Sequence, residues 1–282
     1  MRTRRWTWLL AGLVALTMLA AACNGDTVTP ENGNGENGEP AIETIEEGKV
    51  TVGSDIPYPP FEFREDGELQ GLDIDLMRAI AERIGFSEDQ VEFVDTDFDT
   101  IFSQLAQGRY DTVIAASTIT PEREEEVNFS DPYYAAQQSL TVASDSGIAS
   151  TDDLGEGHTV GVQDGTTGEM WAEENLSGQG VEIRSFPEGP DGYTALEAGQ
   201  VDGVINDEPT ALAEVAGRPG LEVAQTIETG EFYGIAVNPA NEPLLEAINE
   251  ALAEIIEDGT YGEIYGRYAD LPPGGNIALL EA

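Results

Sequence analysis

The sequence predicts an α/β protein with largely parallel sheets and room for two lobes. From Gly48 onward, strand-like and helix-like periodicities alternate, the pattern of repeated strand and helix units. The 282 residues fit one or two domains, since single cores stop growing at roughly 250 to 300 residues. Hydrophobic residues make up 40% of the chain, with 9 Phe, 9 Tyr and 3 Trp, enough to build a core despite a net charge of -43.

The first 22 residues are not part of that fold. Arg2, Arg4 and Arg5 precede a mostly apolar run from Trp6 to Leu19 and the small residues Ala20 to Ala22, which is the pattern of a cleaved export signal. A membrane-spanning helix is the alternative, but the run is at the short limit for one. Arg4-Arg5 points to twin-arginine export while Thr7 and Trp8 fit that pattern poorly, so the general secretory route stays open. Cys23, the only cysteine, excludes an intrachain disulfide. The small residues before it resemble a lipoprotein lipobox, although Leu19 stands one place early with Ala20 in its slot. That resemblance implies lipidation of Cys23 and an anchor on the outer face of the cytoplasmic membrane, either extracellular or periplasmic; an unpaired exported thiol would invite oxidation. Residues 23–47 then form the lipidated Cys and a flexible acidic tether, with seven acids and no base. Gly33, Gly35 and Gly38 match G-x-G-x-x-G, but with no strand before and no helix after they carry no dinucleotide reading.

In the folded part, residues 49–53 read as a short strand. Leu72, Ile74, Leu76, Met77, Ile80, Ala81 and Ile84 then recur at helical spacing. Further strands are expected at residues 111–116, 138–143, 158–163, 201–206 and 233–237, and helices at 100–107, 168–175, 192–198, 210–216 and 244–256. Parallel sheets place ligands at the carboxyl ends of their strands, so the chemistry is sought there.

After the first strand, prolines 57, 59 and 60 bar helix and hold Tyr58 and Phe61 on a stiff loop beside Asp55, as ligand contacts or as a lid on the core. At residues 115–123 a strand ends in small polar residues, Thr120 suits an N-cap and Pro121 the first helical position. Arg123 then falls in the first turn, the wrong charge for a helix start unless an anion binds there; the alternative is a surface pair with Glu122 or Glu125. Thr166 and Glu169 have capping-box spacing just after the strand ending in Gln163. Asp207 follows another strand, as a turn acid or as the partner of an ammonium group. Two helix starts and one arginine suit a carboxylate, while Asp55 and Asp207 suit a cation, so a zwitterion such as an amino acid fits the set.

These residues resemble a known family, the solute-binding proteins of polar amino-acid ABC importers, family 3. The resemblance runs through residues 71–84, Phe98 within Thr96-Asp-Phe-Asp99, Thr118 to Arg123, residues 129–134, residues 161–167 and Asp258-Gly-Thr-Tyr261, covering residues 49–268. It implies a bilobal periplasmic-binding-protein-like fold, two α/β lobes joined by a two-strand hinge: lobe 1 at 48–132 plus 234–282, lobe 2 at 138–228, and the hinge at 133–137 and 229–233. Arg123 would grip the ligand carboxylate, helped by Thr118 and Thr167. Asp207, the Thr118 hydroxyl and the Ala116 carbonyl would take the ammonium group. Tyr58 and Phe98 would sandwich the ligand side chain, with Asp55 and Gln163 near its tip. An acid at the tip between aromatic faces favours arginine or lysine first and glutamine second. The loaded protein, a monomer without cofactor, would dock on an ABC permease driven by its ATPase.

Other chemistries are excluded or kept as rivals. Twelve bases against 55 acids argue against nucleic acid and against attraction to anionic lipid. His158 is the only histidine and no H-E-x-x-H occurs, so zinc is not expected. Asp95, Asp97 and Asp99 begin like a calcium loop, but Thr100 and Ala106 stand where glycine and the bidentate acid belong. There is neither a nucleotide-binding P-loop nor a G-x-S-x-G. The rivals are an enzyme on the same fold, such as a cyclohexadienyl dehydratase, and a sensory lipoprotein that binds without delivering. From Gly48 on, nine bases remain and the net charge is -39, a solvated coat that fits a protein adapted to high salt.

Overall fold

The computed structural model describes residues 42–268, 271–272 and 275–276. The export signal, Cys23 and most of the tether lie outside the described residues. The fold starts earlier than Gly48, however. Ile42 packs on the core, Ile45 N–H donates to Asp111 Oδ1 at 2.7 Å, and Asn241 Nδ2 donates to the Glu43 carbonyl at 2.9 Å.

The chain runs through β1 (Val50–Ser54), the hairpin β2 (Phe63–Glu65) and β3 (Glu68–Gln70), α1 (Leu72–Arg83), β4 (Val91–Asp95), α2 (Phe98–Ala106) and β5 (Thr112–Val113). A four-residue helix α3 (Pro121–Glu124) leads to β6 (Asn128–Phe129) and the long β7 (Tyr134–Ala143). Then come β8 (Thr159–Gln163), α4 (Thr167–Asn175), β9 (Glu182–Phe186), α5 (Gly189–Glu197), β10 (Gly203–Asp207) and α6 (Glu208–Ala216). The chain returns through β11 (Leu221–Tyr233) and β12 (Ala236–Val237) to α7 (Glu242–Glu257) and α8 (Thr260–Tyr265).

Two five-stranded sheets result, ordered β4-β1-β5-β12-β6 and β11-β7-β10-β8-β9. The fold is bilobal α/β, but the sheets are mixed rather than largely parallel. β1 pairs in parallel with β4 and β5, and β8 with β9 and β10, as alternating strands and helices dictate. The antiparallel pairs arise where the chain enters and leaves the second lobe: β7 runs against β10 and β11, and β12 returns against β5 and β6. Residues 134–136 and 231–233 pair along the β7–β11 ladder, as Tyr134 with Tyr233 and Ala136 with Glu231.

Helices cover both faces of each sheet. Leu72, Leu76, Met77 and Ile80 of α1 and Leu244, Ile248, Leu252 and Ile255 of α7 bury their spaced apolar stripes against Val50 and Val52. Phe98, Ile101, Phe102 and Leu105 of α2 cover Val113 and Ala236. In the second lobe Ala172 packs with Val160, Val162 and Ile205, and Tyr193, Leu196 and Ala211 pack with Val204.

Two expected strands are shorter or broken. Residues 111–116 yield only β5, because Asp111 turns to accept the Ile45 and Thr51 N–H groups and Ala116 enters the left-handed region at φ 44°. Residues 233–237 divide between the sheets, Tyr233 ending β11 and Ala236 starting β12. Gly71 opens α1 at φ 135°, where an added Cβ would lie 1.8 Å from the Phe61 carbonyl oxygen, so only glycine fits.

Candidate functional site

All nine sequence-selected ligand residues line one cavity: Asp55, Tyr58, Phe98, Ala116, Thr118, Arg123, Gln163, Thr167 and Asp207, joined by Ala115 and Thr166. Each sits at or just beyond the carboxyl end of a strand or in the first turn of the helix that follows, because parallel strands deliver their ends to one edge of each sheet.

Arg123 reaches the cavity through α3. Thr120 Oγ1 accepts the Arg123 N–H at 3.2 Å, and Pro121 occupies the first helical position. Glu122 and Glu125 are exposed while Arg123 is buried, so the surface-pair alternative does not hold. Its guanidinium lies 5.0 Å from the Phe98 ring centre and 4.8 Å from that of Phe102. Nη1 donates to the Thr118 carbonyl at 2.7 Å and Nη2, from the other side of the cavity, to the Gly165 carbonyl at 3.1 Å. Among the described residues no carboxylate pairs with it within 4.0 Å. Burial lowers its pKa to about 10, with the charges of Asp207 and Glu231 opposing that shift.

Asp55 directly follows β1 and is 3% exposed. Its Oδ2 accepts from Gln163 Nε2 at 2.6 Å, whereas Oδ1 is buried and has no hydrogen-bond partner among the described residues. Burial pushes its pKa up to about 7, against the hydrogen bond from Gln163 and with the help of Glu188, Asp95 and Asp97.

Asp207 ends β10. Its Oδ2 accepts from the Tyr233 hydroxyl at 2.5 Å and from the Tyr58 hydroxyl at 2.9 Å, and Oδ1 from Gln138 Nε2 at 2.5 Å. Burial, then the charge of Glu231, raises it to about 7. The Tyr58 hydroxyl also lies 2.6 Å from Asn206 Oδ1. Phe61, the other aromatic of that loop, is a core residue, set edge-on to Tyr134 and Tyr233.

Thr166 caps α4 by accepting the Glu169 N–H at 3.2 Å, while Glu169 reaches back one residue further than a capping box requires, to the Gly165 N–H at 2.7 Å. Gly165 sits at φ 73°, and an added Cβ would stand 2.9 Å from Asp99 Cα.

Three site residues escaped sequence reasoning: Gln138, Tyr233 and Glu231. Glu231 Oε2 accepts from both the Thr118 and Thr167 hydroxyls at 2.7 Å, and Gln138 Nε2 bridges it to Asp207. The one local signal was that Glu231 and Tyr233 lie two apart on one strand face; Gln138 sits mid-strand among Gln137, Ser139 and Thr141 and does not stand out. Beneath the cavity Asp73 Oδ2 accepts the Ala116 N–H at 2.7 Å and the Tyr133 hydroxyl at 2.8 Å, which holds the left-handed turn at Ala116. Glu62 lies buried beside Asp73, and burial and that neighbour push it well above the usual carboxylate range. Among the described residues no group of His, Cys, Asp and Glu is arranged to hold a metal ion, and no helix is long and apolar enough to cross a membrane.

The guanidinium, two acids and aromatic rings around this cavity match the charges of a small zwitterion, and the chain is similar to known amino-acid-binding proteins. The histidine-binding periplasmic protein of Salmonella typhimurium is 32% identical over 231 residues, covering 79% of this chain and 88% of that protein. An ancestral arginine-binding protein, solved with arginine bound, is 42% identical with a TM-score of 0.74, covering 78% of this chain and 98% of its own. The ancestral amino acid-binding protein AncCDT-1, a precursor of cyclohexadienyl dehydratase, is 36% identical with a TM-score of 0.72, over 78% and 95% of the two chains. Residues 50–270 match the family model of bacterial extracellular solute-binding proteins, family 3, and the chain belongs to that family.

Proposed function

We propose that this protein is the extracytoplasmic substrate-binding component of an ABC importer, capturing arginine or lysine first and glutamine second and delivering it to a membrane permease. One observation carries the reading: among the described residues, a single cavity holds a buried guanidinium without a carboxylate partner and a buried carboxylate oxygen without a donor. An amino acid with a cationic tip supplies both missing partners, its carboxylate to Arg123 and its tip to Asp55. Asp207 takes the ammonium group, and the Tyr58 and Phe98 rings flank the side chain. Residues 133–137 and 229–233, whose segments 134–136 and 231–233 pair along the β7–β11 ladder, serve as the hinge on which lobes 48–132 plus 234–282 and 138–228 close. A lipid on Cys23 holds the protein at the outer face of the cytoplasmic membrane, and Cys23→Ala is expected to release it.

Calorimetry of the purified protein against all common amino acids, at low and high salt, tests the reading. Binding of arginine or lysine ahead of the others is the expected result, and no response to any amino acid would overturn it. An enzyme of the cyclohexadienyl-dehydratase kind is the second reading, favoured by two cavity acids near pH 7, where proton transfer is efficient. Turnover of a prephenate-like acid by the pure protein would establish it.

A further inference from the structure

We propose that Glu231 fixes the Thr118 hydroxyl as an acceptor for the ligand's α-ammonium group, so that the cleft selects α-amino acids over the same acids lacking that group. The inference rests on the amino-acid reading of the cavity.

Glu231 stands on β11 just beyond the register shift that follows Ile227, next to Gly230 at φ 68°, and pairs with Ala136. This irregularity aims an acid from the crossing strand at hydroxyls from both lobes. Its Oε2 accepts from Thr118 Oγ1 and from Thr167 Oγ1, each at 2.7 Å.

A threonine hydroxyl has one proton and two lone pairs. With the proton of Thr118 committed to Glu231, the oxygen offers the cavity only lone pairs. A donor such as an ammonium group is accepted there and a carboxylate or carbonyl oxygen is refused, so the hydroxyls of Thr118 and Thr167, both turned to Glu231, are not the groups that help Arg123 with the ligand carboxylate. Gln138 makes the arrangement directional. Its Nε2 donates to Asp207 Oδ1 at 2.5 Å and lies 3.2 Å from Glu231 Oε1, so one amide keeps both acids facing as acceptors. Asp207 and Thr118 thus present two acceptors to the ammonium protons. An acid without the amino group leaves those buried lone pairs unmatched.

Glu231→Gln preserves size but not this pattern. If the new amide nitrogen faces Gln138 Nε2, two donors meet. If it faces the threonines, it donates to the hydroxyls and frees their protons to point elsewhere. Glu231→Leu, which removes the acceptor, is the second variant, and thermal melts confirm that each folds.

The experiment compares the affinity of the full secreted chain for arginine and for guanidinovalerate, which is arginine without its α-amino group. The wild-type preference for arginine is expected to fall about tenfold in either variant, through arginine alone, as loss of a hydrogen bond to a charged group implies. An unchanged ratio, or equal losses for both ligands, would overturn the role of Glu231 while leaving the amino-acid reading intact. If the wild type fails to bind arginine or any other common amino acid, the reading itself fails. If it prefers another amino acid, that one and its deaminated analogue replace the pair.

Discussion

The Tyr58 hydroxyl lies 2.9 Å from Asp207 Oδ2, joining the loop after β1 in the first sheet to the end of β10 in the second. The two strands share no sheet, so this contact exists only while the lobes are together. Tyr58→Phe keeps the ring and removes the bond. It is expected to weaken all ligands by the same factor, roughly tenfold, because it acts on closure. Calorimetry across several amino acids checks this, and a loss confined to one ligand would instead assign the hydroxyl to side-chain recognition.

Arg123→Ala should abolish binding of every amino acid, a loss of roughly 3 kcal/mol or more, since the ligand carboxylate would be left buried without its charged partner. Asp55→Asn should mainly reorder the ligands, costing arginine and lysine about tenfold or more while sparing glutamine. Parallel losses in both variants across all ligands would show that Asp55 is not a selector.

The pH dependence has opposite signs for stability and for binding. Burial raises Asp55, Asp73 and Asp207 from 3.8 to about 7. The folded chain therefore holds protons that the unfolded chain releases. That contribution to stability is complete below about pH 4 and is lost as pH rises through 7. The melting temperature of the free protein should fall between about pH 4 and 7 and level off above. Arginine affinity should rise over the same interval, because a cationic tip and an ammonium group need ionised acids. Calorimetry in buffers of different ionisation enthalpy would detect the protons released, and a flat affinity would count against ionic recognition.

A coat with -39 net charge from Gly48 onward repels itself in dilute buffer. Thermal stability should increase from dilute buffer to molar salt as the charges are screened. No change would separate the acidic surface from any adaptation to salt.

Gly71→Ala should destabilise the fold by more than about 1 kcal/mol, because the backbone is held at φ 135° against the Phe61 carbonyl. Chemical denaturation measures it.

The sequence was most informative where a residue type can do only one thing. Thr120, Pro121 and Arg123 specify a capped turn with a guanidinium inside it, and the apolar spacing of α1 and α7 specifies buried faces. Strands with mixed exposure were less legible. β9 is an edge strand with exposed Glu182, Arg184 and Ser185, so it lacks an apolar signature, and the register shifts of β11 break its alternation. Gln138 and Glu231 were missed for the same reason: their partners lie 69 and 113 residues away along the chain, at distances no local pattern encodes.

Gln163 presses a primary amide onto Asp55 Oδ2 at 2.6 Å from across the cavity. The protein thereby carries an internal stand-in for a glutamine ligand, bound to the acid proposed to judge the ligand's tip. On the proposed reading, a glutamine amide at the free Oδ1 would only repeat the kind of bond that Gln163 already gives Oδ2, whereas a guanidinium or ammonium would bring a charge that the resident amide cannot match. If Asp55 meets the ligand's tip as proposed, the cleft works as a comparison rather than a lock, with the bond from Gln163 as the reference against which each tip is measured.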